Sequence, residues 1–169
     1  MTKKILAILF TFITYHCISQ PYISLAPSLT NTSGPIADKL NLALEVGQQW
    51  DVFSLGLDIG KTTFSKVGVK DTSLYLEIRP SLNVFQQGKF TNTLTIGAGF
   101  VFGAEESLLT ELTYGIEYAF TPKTHFNVFF GQYYYSGRYT ASNPTFFGIS
   151  AMFYFKSYNS GSLIQQKPK

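Results

Sequence analysis

The sequence predicts an all-β chain: an eight-stranded antiparallel up-and-down barrel that crosses a membrane with its strands. Three observations predict it. Apolar residues alternate with small or polar ones in eight segments of about ten residues, separated by Gly, Pro, Asn, Asp and Ser. Of the 169 residues, 45% are hydrophobic, 17% aromatic (16 Phe and 11 Tyr) and only 14% charged, against about 25% charged for a soluble domain. Mean hydropathy is nevertheless +0.08, too low for a bundle of membrane helices, which fits an apolar face averaged with a polar one. The same composition excludes a disordered or nucleic-acid-binding chain, since those are charge-rich and poor in aromatics. One Cys and two His exclude a disulfide framework and leave no basis for a Cys/His zinc site. No cofactor is expected.

Residues 1–19 have the form of a secretory signal peptide. Lys3 and Lys4 precede an apolar run from Ile5 to Ile13, and Cys17 and Ser19 are the small residues before a cut. The run falls short of the roughly 20 residues of a spanning helix. Cys17 does not read as a lipidation site, because His16 and Thr14 stand where that signal needs a small residue and Leu. Cleavage after Ser19 leaves Gln20 first and no cysteine. Loss of Lys3 and Lys4 from thirteen basic residues leaves eleven against ten acidic, a net charge of +1 instead of +3. Residues 20–155 are the barrel, and 156–169 a polar tail.

The expected strands are Tyr22–Leu29, Asp38–Gly47, Trp50–Lys61, Thr72–Phe85, Asn92–Phe102, Leu108–Phe120, His125–Tyr135 and Thr145–Phe155. The first sets Ile23, Leu25, Pro27 and Leu29 against Ser24, Ala26 and Ser28. The second sets Leu40, Leu42, Leu44 and Val46 against Asn41, Ala43 and Glu45. The third sets Phe53, Leu55, Leu57 and Ile59 against Ser54, Gly56, Asp58 and Gly60. In the fourth, Leu74, Leu76, Ile78, Leu82 and Val84 oppose Tyr75, Glu77, Arg79, Ser81 and Asn83, with Pro80 on the apolar face as a bulge or a weakened ladder bond. The fifth and sixth alternate from Leu94 to Phe102 and from Leu112 to Phe120. In the seventh, Phe126, Val128, Phe130 and Tyr134 share a face that Gln132 interrupts, and the eighth alternates from Phe147 to Phe155.

The polar faces are small, with Gly at 56, 60, 97, 99, 115, 131 and 148. They lack the Lys and Glu that keep a soluble sheet dispersed and suit the narrow interior of eight strands. The apolar faces are large. Phe53, Tyr118, Phe120, Phe126, Phe153 and Phe155 lie at one end, and Phe100, Phe102 and Tyr134 toward the other, as in two interfacial girdles. Ten residues at about 3.3 Å, tilted near 40°, reach roughly 25 Å, the height of such an apolar band.

By parity Glu45, Asp58, Glu77, Arg79, Glu111 and Glu117 point inward, with Lys39 and His125 near the rims and Glu117 close to His125 or Asn127. An acidic excess around Arg79 reads first as a hydrogen-bonded network that fills the lumen, because an unpaired charge there is costly. A proton or ion path, or an acid/base pair, are the sharper readings. Compact connections are expected at Gln48–Gln49, Gln86–Thr91 and Thr121–Thr124, and longer ones at Thr30–Ala37, Thr62–Asp71 and Ser136–Pro144. Gly103–Ser107 is a short exception. This alternation places the termini and tight turns in the periplasm and the longer loops outside. Lys61, Lys66 and Lys70, beside the second outer loop, could meet lipopolysaccharide phosphates, although a solvated loop is the plainer reading.

The signal peptide, the Thr121-Pro122-Lys123-Thr124 turn and the closing strand Phe147–Phe155 together resemble the small eight-stranded OmpA/OmpX-type outer-membrane barrels, the group described as the outer membrane protein β-barrel domain. The resemblance implies a bacterial outer-membrane location, contact with outer-membrane lipids and lipopolysaccharide, and handling by the outer-membrane assembly machinery, which reads a closing strand ending in an aromatic. Fourteen residues follow Phe155, a departure from barrels that stop there. A monomer with no nucleic-acid partner is expected, and the resemblance supports no specific activity. The expected role is structural or interactive, through the outer loops, and non-catalytic. His125 is followed by Phe126 and Asn127, so the His-x-Ser of a lipid A deacylase is missing, as are Gly-x-Ser-x-Gly and phosphate-loop motifs. A soluble lipocalin-like ligand carrier is the alternative, ahead of a lipid A-modifying enzyme or a narrow pore.

Overall fold

A computed structural model of the chain describes residues 19–31, 40–66, 69–102, 107–136 and 143–156. The strands are β1 (Gln20–Asn31), β2 (Leu40–Trp50), β3 (Phe53–Lys66), β4 (Val69–Gln87), β5 (Phe90–Phe102), β6 (Ser107–Ala119), β7 (Thr124–Ser136) and β8 (Thr145–Tyr154). Each pairs antiparallel with its neighbours in sequence, and β1 pairs with β8 to close the barrel. Closure leaves no strand edge exposed along the wall. Residues 1–18 of the expected signal peptide, Lys39 and the tail beyond Lys156 lie outside the described residues.

The alternation sorts the faces. Leu57, Ile78, Ile96 and Ile149 point outward and are about half exposed (45–58%), while Ser24, Asp58, Glu77, Thr95 and Ser150 are buried inside. Two polar pairs on the outer face are satisfied locally. Tyr114 donates to Asn92 Oδ1 at 2.5 Å. Gln132 accepts from the Tyr134 hydroxyl at 2.9 Å and donates to the Asn143 carbonyl at 3.3 Å. Such pairing is what a wall facing hydrocarbon requires.

Prolines sit where one ladder can be spared. Pro80 pairs with Leu55 on the β3 side, but the β4–β5 ladder skips Arg79 and Pro80. Pro27 likewise pairs with Leu42, while the β1–β8 ladder skips Ala26 and Pro27. A missing N–H removes one bond without shifting the register. The register shift in β4 lies farther on, between Asn83 and Phe85, where Val84 and Phe85 both face outward.

Three connections differ from expectation. Strand β2 runs through Gln48–Gln49 to Trp50, and the turn is Asp51–Val52, with Asp51 at φ 51°. Gly47 does not end the strand, because a Cβ there would meet the Tyr22 ring; it is a packing glycine. The β4–β5 connection shrinks to Gly88–Lys89, with Gly88 at φ 59°, the left-handed region that glycine enters without cost. The long loop expected over Thr62–Asp71 is mostly strand. The β3–β4 ladder continues to Lys66 and Val69, past the last β2–β3 pair at Leu42 and Lys61 and the last β4–β5 pair at Leu74 and Phe102. Pairing between adjacent strands costs little loop entropy, so Thr62–Lys66 and Val69–Ser73 form a ribbon beyond the barrel rim. The fourth turn, Phe120–Lys123, is set by Thr121, whose Oγ1 accepts from the backbone N–H of Thr124 at 2.9 Å and of Lys123 at 3.2 Å.

The interior is less uniformly small than the glycine pattern implies. Tyr22, Tyr75, Phe129, Tyr133, Tyr135, Phe146 and Tyr154 are all buried. Glycines on adjacent strands make their room: a Cβ at Gly47 would strike Tyr22, at Gly60 Tyr75, at Gly148 Phe129 and at Gly131 Phe146. Small and large residues thus interlock across the lumen.

Two substitutions test this arrangement by urea unfolding in lipid vesicles. Ile78→Arg, on the outer face, should cost about 2–4 kcal/mol near the middle of the band, where a water-exposed site would show a change within about 0.5 kcal/mol. Gly60→Val should cost about 1–3 kcal/mol by overpacking, and adding Tyr75→Ala should recover part of that loss.

Candidate functional site

Strands β2, β3 and β4 set three carboxylates in one row. Glu45 pairs with Asp58, and Asp58 with Glu77. Like charges directly opposite are unfavourable. Arg79, two residues beyond Glu77 on the same face, answers them. Its Nη1 lies 2.7 Å from Glu45 Oε2 and 4.0 Å from Asp58 Oδ2. On the other side Nη2 and Nε donate to Glu111 Oε1 at 2.6 and 3.0 Å. The guanidinium therefore spans the lumen from β2 to β6. Its planar fork fits two carboxylates as an ammonium cannot.

Two tyrosines complete the cluster. Tyr22 donates to Glu45 Oε1, and Tyr75 donates to Asp58 Oδ2 at 3.0 Å. Glu77 is different. It is 1% exposed, and neither carboxylate oxygen has a hydrogen-bond partner among the described residues. Gly97 leaves the space it occupies, since a Cβ there would collide with Glu77 Oε1. Five of the six acidic and basic residues expected in the lumen thus gather at one level, four carboxylates around one arginine.

Glu117 stands apart. Its backbone pairs with Asn127, and its Oε1 lies 2.5 Å from His125 Nδ1. His125, the second residue of β7, lies near the rim as expected and is fully buried there, its ring 4.8 Å from that of Tyr154. Between this pair and Arg79 lies a cavity of about 50 Å³, lined by Ser24, Glu45, Ser54, Arg79, Thr95 and Glu117 among others. That volume has room for a few water molecules, and its walls supply their partners. On the far side of Arg79 the lumen is filled by Tyr75, Val101, Leu109, Tyr133, Tyr135 and Phe146, with Tyr133 and Phe146 stacked at 4.2 Å. A polar vestibule, a charged layer and an aromatic plug follow one another along the axis. Among the described residues no group of three His, Cys, Asp or Glu side chains is arranged to hold a metal.

Parity predicts the inward position of every charged member. It does not single out Tyr22 and Tyr75 as donors, although a tyrosine at a lumen position beside an inward carboxylate is the signal that could have done so. The partner exchange within the cluster depends on register, which parity leaves open.

Removing the guanidinium should leave Glu45 and Glu111 buried without a counter-charge. Arg79→Met is expected to cost about 3–5 kcal/mol in urea unfolding of the vesicle-bound protein, and Arg79→Lys less. Glu77→Gln, which breaks no hydrogen bond to a described residue, should change stability by under about 1 kcal/mol.

No family model and no curated protein matches the sequence. Solved structures match the fold. Neisserial surface protein A, from Neisseria, superposes with a TM-score of 0.59 at 10% identity, over 80% of this chain and 96% of that one. The N-terminal β-barrel domain of Pseudomonas aeruginosa OprF gives 0.57 at 11% identity, over 81% and 99%. A de novo designed barrel, TMB2.3, gives 0.53 at 10% identity, over 81% and 96%. The chain therefore has the fold of the small eight-stranded outer-membrane barrels, in agreement with the resemblance carried by its sequence.

Proposed function

We propose that the chain is an integral outer-membrane protein of a Gram-negative envelope, exported by the leader in residues 1–19, with a structural or interactive role carried by its outer loops. The barrel proper is residues 20–155, it acts as a monomer, and the assembly machinery reads its closing strand. The observation that carries this reading is the inverted distribution of side chains: an apolar outer face, and a lumen of buried carboxylates locked onto Arg79. A lipocalin-like carrier needs the reverse, a wet exterior and a wide apolar interior.

The network of Glu45, Asp58, Glu77, Arg79 and Glu111, with the Glu117–His125 pair below it, acts as a structural plug. The aromatic layer above Arg79 supports a closed lumen. The Glu117–His125 contact fixes a buried imidazole and does not by itself make a hydrolytic site, which also requires a nucleophile within reach. The reading is accordingly non-catalytic, and the role in the envelope resides in surfaces rather than in chemistry.

Fractionation tests the location. The protein should sediment with outer membranes and migrate differently on gels before and after boiling. Recovery in a soluble fraction would instead support the carrier. Planar-bilayer recordings should show no steady conductance, and lipid A mass spectra should be the same with and without the protein. Discrete current steps would favour a narrow pore, and an altered acyl pattern an enzyme.

A further inference from the structure

The barrel end where β1 begins and β8 ends is unequal around its rim. Lys89 in the β4–β5 turn, Lys123 in the β6–β7 turn and Lys156 after β8 are all exposed. Each turn is tied to the wall beside it: Ala119 N donates to Lys89 O at 2.9 Å, Tyr154 N to Lys123 O at 2.8 Å, and Phe155 N to Pro21 O at 3.0 Å. The three lysines therefore follow one another along the arc from β5 to β8. Glu117 is the acidic residue of that arc among the described residues, and it is turned inward onto His125. The other half of the same rim carries Asp51, Gln20, Gln48 and Gln49, and no lysine or arginine among the described residues.

Aromatic rings are densest on the same arc. Phe90, Phe120, Phe126, Phe153 and Phe155 are 48–67% exposed on its outer face, with Phe85 of β4 beside it, while the other half of the rim carries Phe53 stacked on Trp50. Lys89 Nζ lies 5.9 Å over the Tyr118 ring, and the Phe90 and Tyr118 rings are 5.0 Å apart. Ammonium groups thus stand just beyond a band of rings, at the level where the apolar wall ends.

We propose that this arc binds the anionic headgroups of phospholipids in the leaflet at the terminal end of the barrel. The inference rests on the membrane reading above. A partner that meets these lysines from the side also lies against phenylalanines and the apolar wall beneath them. It must join a negative head to an apolar body, and a phospholipid with a net-anionic head has that form. Lysine stems can run along the wall and deliver their charge to the phosphate level, and aromatic rings favour the same depth.

The test is lipid selectivity in reconstituted vesicles of phosphatidylcholine, read by electron spin resonance of spin-labelled phosphatidylglycerol against spin-labelled phosphatidylcholine. A basic residue at an anionic surface is worth about a fivefold preference. Averaged over the whole lipid shell, the protein should prefer the anionic lipid by about twofold or more, and the preference should weaken with salt. The triple variant Lys89→Gln, Lys123→Gln, Lys156→Gln should lose it while keeping its heat-dependent gel shift. Lys61→Gln, at the other end of the barrel, should keep it. Equal selectivity in the protein and the folded triple variant, or no anionic preference in the protein, overturns the arc alone. Failure of the protein to float with the vesicles overturns the membrane reading and the arc with it.

Discussion

A wall that faces hydrocarbon must pair all its backbone polar groups within itself, and here that requirement is met by the β1–β8 seam. Once eight strands close, the width of the lumen is set, and interior side chains have to fit a space they did not choose. Glycine on one strand beside a large ring on the next is one result, as in Gly60 beneath Tyr75 and Gly148 beneath Phe129. The outer face carries no such constraint and is filled with whatever is large and apolar.

The same narrowness makes the lumen charges interdependent. Glu45, Asp58 and Glu77 share a row because strand pairing puts them there, and Arg79 reaches across to Glu111 because β6 is within one side chain of β4 through the interior. In a wider barrel water would separate these groups and weaken their coupling. Here the charged layer divides a cavity that can hold water from an aromatic plug that cannot.

Much of this was legible in the alternation of residues. Leu74, Leu76 and Ile78 against Tyr75, Glu77 and Arg79 fixes both faces of β4 without reference to any other strand, because a strand has a period of two. Strand ends were less legible. The expected second strand stops at Gly47, but the ring of Tyr22, twenty-five residues earlier, makes it a packing position within a longer strand. Thr62–Asp71 reads as a loop on its polar content, yet its residues extend a hairpin already begun. The cluster was legible as a set of inward charges and illegible as a set of bonds, since which carboxylate meets Arg79 is decided by register and side-chain reach.

The seam itself has a kinetic meaning. Seven of the eight pairings join strands adjacent in sequence and need only a turn or a connection to form. The eighth brings Tyr22 against Tyr154 and must close nearly the whole chain on itself, which places most of the chain-closure entropy in one event. It is also a ladder that skips residues, at Ala26 and Pro27. Assembly by sequential hairpins therefore ends at this join, with β1 and β8 as the two margins of the sheet until it forms.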